Sequence, residues 1–135
     1  MVNKLMQSPW KFFTLEELKC KCGQCGSTGN EMIPEFMVMI VAIRKEADFP
    51  FVITSAYRCP EYNAKVSDTG PNGPHTTGMA MDIKCDGEQA WHILNLAYHF
   101  SMPGVGVRQK EGEARYVHLD DCDAEKFPRP RAWSY

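Results

Sequence analysis

The stretch GPHTTGMAMDIKC, Gly73 to Cys85, passes from turn formers straight into an apolar run, with a histidine near one end and an aspartate near the other. Read as a strand, Met79–Cys85 places Asp82 on the face of Ala80 and Lys84, with Met81 and Ile83 opposite. His75 lies just upstream, between Pro74 and Thr76–Thr77–Gly78. Gly73, Pro74 and Gly78 argue against a helix there, so a loop is expected that folds the imidazole back over the strand end. Further along, ARYVHLD (Ala114–Asp120) alternates in the same way. Tyr116, His118 and Asp120 share one face, and Arg115, Val117 and Leu119 take the other. If the two strands pair, the faces of Asp82 and His118 can coincide.

Two imidazoles and one carboxylate suit zinc, which takes such donors at ~2.0–2.2 Å in tetrahedral geometry. Three protein ligands leave a fourth position for water, whose pKa such a metal lowers to about 7. The competing interpretation makes His75 a loop residue, His118 a core histidine and Asp82 a solvated acid. Spacing alone leaves both open.

Outward from these strands the chain punctuates clearly. KFFTLEEL (Lys11–Leu18) reads as a short helix with a capping box at Thr14 and Glu17. IPEFMVMIVAIRKEAD carries Pro34 in its first turn and an apolar face of Phe36, Met39, Ile40 and Ile43. A buried strand follows at Phe51–Ser55, then a short helix over Cys59–Lys65. SDTGPNGPHTTG is dense in turn formers and is expected to be loop. Asp86, with Gln89 three residues on, is expected to cap a helix bearing Ala90, Ile93, Leu94 and Ala97. PGVGVRQ and ARYVHLD then form a hairpin through KEGEA. The prediction is a single α+β domain, with a small antiparallel sheet of about four strands and helices packed on it. Residues 1–30 form an extension with a Cys-rich loop, and 31–135 the catalytic core. His92 and His99 are expected at the surface, and Trp91 and Phe100 in the core or an interface.

At 135 residues, 44% hydrophobic and 24% charged, the chain is long enough for one self-sufficient core. A net charge of −2 without a long block of one sign gives no reason to expect nucleic acid as partner. The closing RPRAWSY is basic and aromatic but too short to make a binding surface. The N-terminus shows no secretory signal pattern, and no run reaches the ~18 apolar residues of a membrane helix. Synthesis in the cytosol without membrane insertion is the expectation. Of six cysteines, Cys20, Cys22 and Cys25 crowd into CKCGQCG, apart from Cys59, Cys85 and Cys122. In a cytosolic setting this favours free thiols, then a structural zinc completed by Cys59 or another residue, then disulfides. A catalytic thiol comes last.

SAYRCPEYNAKV, followed by GPHTTGMAMDI and then YVHLD, resembles the zinc D-Ala-D-Ala carboxypeptidase family of murein peptidases. Phage endolysins that cleave the L-Ala–D-Glu bond and the hedgehog signalling domain share that fold. The likeness runs from Phe13 to Tyr135. It implies His75, Asp82 and His118 as zinc ligands and Arg58 as the residue that pairs with a substrate carboxylate, for which a guanidinium fork is suited. Tyr57 and Tyr116 are candidates for lining the cleft, with packing favoured for Tyr57. Many relatives carry an acid three residues before the last histidine as general base; Arg115 stands there in this chain. Asp120, two residues after His118 and on its face, is the nearest replacement, either accepting the proton or orienting His118. Ala56 replaces the glycine of the family's Ser-Gly-Tyr-Arg run, and Pro74 precedes His75 where many relatives have a polar residue nearby.

The resemblance therefore implies a zinc peptidase acting on peptidoglycan stem peptides, as a DD-carboxypeptidase or an L-Ala–D-Glu endopeptidase; a monomer is expected. Phage-mediated release would bring it to the cell wall. One rival is an inactive zinc-binding or cell-wall-binding module of the same fold, such as a phage structural component. Another makes Cys20, Cys22 and Cys25 the functional centre, as a small zinc or redox module.

Overall fold

The computed structural model describes residues 8–135. The part of the N-terminal extension before Ser8 lies outside the described residues. Thr14 caps the first helix, α1 (Leu15–Leu18), with the full reciprocal capping box to Glu17. The preceding Lys11–Phe13, expected to be helical, is not, because the cap starts the helix after it. Pro34 opens α2 (Pro34–Ala47), which ends where Asp48 turns left-handed at φ 58°. Its fully buried stripe is Phe36, Met37, Ile40 and Ile43, and Met39 flanks it half-buried.

The remaining elements are β1 (Val52–Ser55), α3 (Pro60–Val66), β2 (Ala80–Lys84), α4 (Gly87–His99), β3 (Gly104–Arg108), β4 (Tyr116–Asp120) and β5 (Arg131–Ser134). They form one sheet of five strands in the order β1-β2-β4-β3-β5. The first four pair antiparallel, as predicted. The fifth runs parallel to β3 and was not read as a strand in the sequence, where RPRAWSY stood out as basic and aromatic and as the end of the resemblance. Alternation along the strands turns Met81, Ile83, Val117 and Leu119 to one face, where they are fully buried with α2 and with Ile93 and Ala97 of α4. Phe13, Leu18 and Met32 join this core, so the Cys-rich segment packs onto the same body as the sheet.

Three local expectations are corrected. The Ser67–Gly78 segment holds two short 3-10 turns, Gly70–Asn72 and Pro74–Thr77, each with proline in its first turn. The hydroxyls of Thr76 and Thr77 close the second turn on the Gly73 and Pro74 carbonyls at 2.7 and 2.6 Å. Asp86 does occupy the N-cap of α4 but makes no side-chain capping bond. Trp91 is 63% exposed rather than in the core, since it faces away from the α4 stripe of Ala90, Ile93 and Ala97. Among the described residues, no helix is long and apolar enough to cross a membrane.

Candidate metal centre

β2 and β4 pair so that Asp82 stands directly opposite His118. Gly78, at φ 77°, ends the turn that carries His75 and lets the chain enter β2. A Cβ there would lie 2.2 Å from the Glu31 carbonyl oxygen, so only glycine fits against that backbone. His75 Nε2 and His118 Nδ1 both reach Asp82 Oδ1, at 3.2 and 3.0 Å. The three side chains are buried and offer one donor atom each, all within 4.8 Å of one another.

The other edges of the two imidazoles fix their protons. His75 Nδ1 lies 2.7 Å from the Ala56 carbonyl, which can only accept, so Nδ1 carries the hydrogen and Nε2 the lone pair. His118 Nε2 lies 2.7 Å from Asp120 Oδ2 and donates to it, leaving the Nδ1 lone pair on the Asp82 side. Two lone pairs and a carboxylate thus converge, an arrangement that repels itself unless a cation sits among them. Ligand bonds of ~2.0–2.1 Å place tetrahedral donors about 3.4 Å apart, close to the spacings seen. The donor set fits zinc. With protons alone filling that role, burial disfavours a charged His118, but hydrogen bonds to Asp120 and Asp82 win and raise its pKa. Burial likewise opposes the Asp82 carboxylate, and the two imidazoles more than offset it, holding its pKa well below the usual range.

Asp120 stands behind His118, not beside the donor triangle. It is fully buried and takes Arg129 Nε and Nη2 at 2.8 and 2.7 Å, plus the Cys122 N–H at 3.3 Å. Gly104 makes room for it, because a Cβ there would sit 2.0 Å from Asp120 Oδ1. Trp133 of β5 packs across Gly106, and its ring centroid lies 5.2 Å from that of His118.

An open cleft of about 640 Å³ runs past the triangle. Arg58 borders it, with Nε donating to Ser55 Oγ (2.9 Å), Nη1 to Asn63 Oδ1 (3.0 Å) and Nη2 to Asp82 Oδ2 (3.5 Å). Asn63 is itself fully buried and held by Thr69 and Gly70. A guanidinium has five N–H donors, so two remain after these contacts. Tyr116 lines the cleft and packs against Tyr135, with ring centroids 5.3 Å apart and the planes tilted by 54°. Tyr57 does not line it. Its backbone N–H bonds the Leu18 carbonyl, and its half-buried ring packs against the core. Glu113, Arg129, Trp133 and Tyr135 also border the cleft and escaped the sequence reading. The alternation of Arg131, Trp133 and Tyr135 with Ala132 and Ser134 was the available signal for β5.

The fold and the centre define a single α+β domain with a His–Asp–His donor set open to a groove. The profile of the family described as Peptidase M15 matches residues 11–120, and the chain belongs to that family. Membership implies a zinc metallopeptidase, in accord with the donor chemistry. No curated protein sequence matches the chain.

Proposed function

We propose that this protein is a zinc peptidase that hydrolyses peptidoglycan stem peptides, with His75, Asp82 and His118 as ligands. The observation that carries this reading is the convergence of His75 Nε2, Asp82 Oδ1 and His118 Nδ1 beside an open cleft in a Peptidase M15 chain. Zinc in such a site supplies Lewis acidity to a peptide carbonyl and to water.

The chain's own residues do the rest. Ala56 O and Asp120 hold the imidazole protons away from the donor triangle, so both rings present lone pairs to it. Arg58 offers its two spare N–H groups to a substrate carboxylate, and its remaining contacts hold the fork rigid. Stem peptides carry such groups at their C-terminus and on D-Glu, and Arg131 also borders the same cleft. Asp120 is a positioning residue. It meets the far edge of His118, and both of its oxygens are occupied by Arg129. The proton acceptor must lie on the cleft side, and we assign it to Glu113, which the β3–β4 loop brings to the cleft wall with one oxygen, Oε2, on Arg108 at 3.2 Å and the other left to accept.

Digestion of purified peptidoglycan, with fragments identified by mass, tests the reading. Chelator-sensitive release of D-Ala would mark a carboxypeptidase, and new D-Glu N-termini an endopeptidase. His75→Ala should abolish either, and Glu113→Gln should lower kcat with zinc retained. Zinc-loaded protein that sediments with the wall and releases nothing would establish the inactive binding module instead, with Arg115 in the place of the relatives' acid.

A further inference from the structure

The peptidase centre uses none of the cysteines, yet four of them meet at a point. Cys20, Cys22, Cys25 and Cys59 each bring a sulfur to within 4.8 Å of the others. Cys59 comes from the N-cap of α3, far along the chain from the loop that carries the other three. Its Sγ lies 3.9 Å from that of Cys22. A disulfide needs ~2.05 Å, whereas four sulfurs on one zinc at ~2.3 Å stand about 3.8 Å apart.

The backbone around the cluster is arranged for thiolates. The Cys59 N–H points at Cys20 Sγ (3.3 Å), the Gln24 N–H at Cys22 Sγ (3.4 Å) and the Tyr62 N–H at Cys59 Sγ (3.4 Å). Gly23 and Gly26, each directly after a cysteine, take φ of 72° and 75° in otherwise open space, so conformation rather than crowding selects glycine. These left-handed residues wrap the loop so that Cys22 and Cys25 face the same point.

We propose that Cys20, Cys22, Cys25 and Cys59 hold a second, structural zinc ion. Four protein ligands close the coordination sphere and leave no place for substrate or water. The ion joins the Cys-rich loop to the chain directly after Arg58 and so clamps the segment that also presents the Ala56 carbonyl to His75. It differs from a site of Cys20, Cys22 and Cys25 alone in making Cys59 indispensable. It does not rest on the peptidase reading, because metal is counted rather than turnover.

Zinc per chain is to be measured by elemental analysis and native mass spectrometry for the wild type, Cys25→Ser, Cys59→Ser and His75→Ala. Two ions are expected in the wild type and one in each variant. After cobalt replacement, His75→Ala should keep the intense thiolate-to-metal absorption, and Cys25→Ser should lose it. Should a cysteine variant fail to fold, titrating the wild type with an organomercurial reads the same site by releasing one equivalent of zinc. A wild type holding a single ion that His75→Ala removes would overturn the proposal. So would intact masses lowered by disulfide formation among these cysteines.

Discussion

Replacing Asp120 by asparagine tests the arrangement behind His118 most directly. Asp120 accepts from His118 Nε2, Arg129 Nε, Arg129 Nη2 and the Cys122 N–H, and every one of these partners is a donor. An asparagine keeps one acceptor and turns the other into an NH2 group. Placed at Oδ2, that NH2 faces His118 Nε2 and Arg129 Nη2; placed at Oδ1, it faces Arg129 Nε and Cys122 N. Either way two donors oppose a donor, and Arg129, 5% exposed, loses its counter-charge. Breaking such a buried pair costs about 3–5 kcal/mol. In the first orientation the His118 proton is also driven to Nδ1, removing a lone pair from the metal; outer partners of this kind cost about 10–100-fold in affinity. Urea unfolding and zinc competition against a chromophoric chelator measure the two effects. An Asp120→Asn protein with parental stability and zinc affinity but no turnover would refute the reasoning, because Asp120 would then be the proton acceptor.

Three further substitutions probe other parts of the structure. Arg58→Lys should raise KM about 10–100-fold with zinc content unchanged, because an ammonium cannot reproduce a fork worth ~1.5–3 kcal/mol to a carboxylate; steady-state kinetics on a stem peptide decide it, and an unchanged KM would remove Arg58 from the substrate site. Gly106→Ala puts a Cβ 2.6 Å from Trp133 Nε1 and should destabilise the fold by about 1–3 kcal/mol while sparing zinc, which Asp120 still secures through His118. Denaturant melts would expose an error if the variant matched the parent. Glu31 is opposed by burial, yet hydrogen bonds from Ser27, Thr28 and Gly29 prevail and lower its pKa from 4.5. Its folded-state value being depressed, its stabilisation is complete above the ordinary value and is lost as pH falls through the folded one. The stability gap between the parent and Glu31→Gln should therefore be constant near neutrality and shrink in acid, and a gap independent of pH would contradict this.

The alternation of side chains made much of this legible in advance. Met81, Ile83, Val117 and Leu119 could only be core if Asp82 and His118 faced the other way, and the sheet obeys that partition. Register was not legible, because nothing within either strand says that Asp82 meets His118 rather than Tyr116 or Asp120. Nor could alternation assign Asp120, since two acids on one face of a histidine can each approach either ring nitrogen. β5 escaped because its pairing with β3 is parallel and is decided by the packing of Trp133 over Gly106. Cys59 was one of several ways to complete the cysteine loop until the fold brought it within reach of Cys22.

His118 lies between two buried carboxylates, and their unequal treatment is what makes the centre a cation site. Asp120 is neutralised by a cation built into the chain, with both of its oxygens taken by Arg129. Among the described residues, the one permanent cation on Asp82 is Arg58 at 3.5 Å, a guanidinium already shared with Ser55 and Asn63. Asp120 draws the imidazole proton toward itself, and the deficit of positive charge is thereby concentrated on the Asp82 side, where His75 adds a second lone pair. Had Arg129 paired with Asp82 instead, the positive charge would already be supplied at the donor triangle, and a cation would find no carboxylate there left to neutralise. Arg129 lies outside the donor triangle, in the segment leading into β5, yet by taking Asp120 it decides which of the two carboxylates is left for a metal.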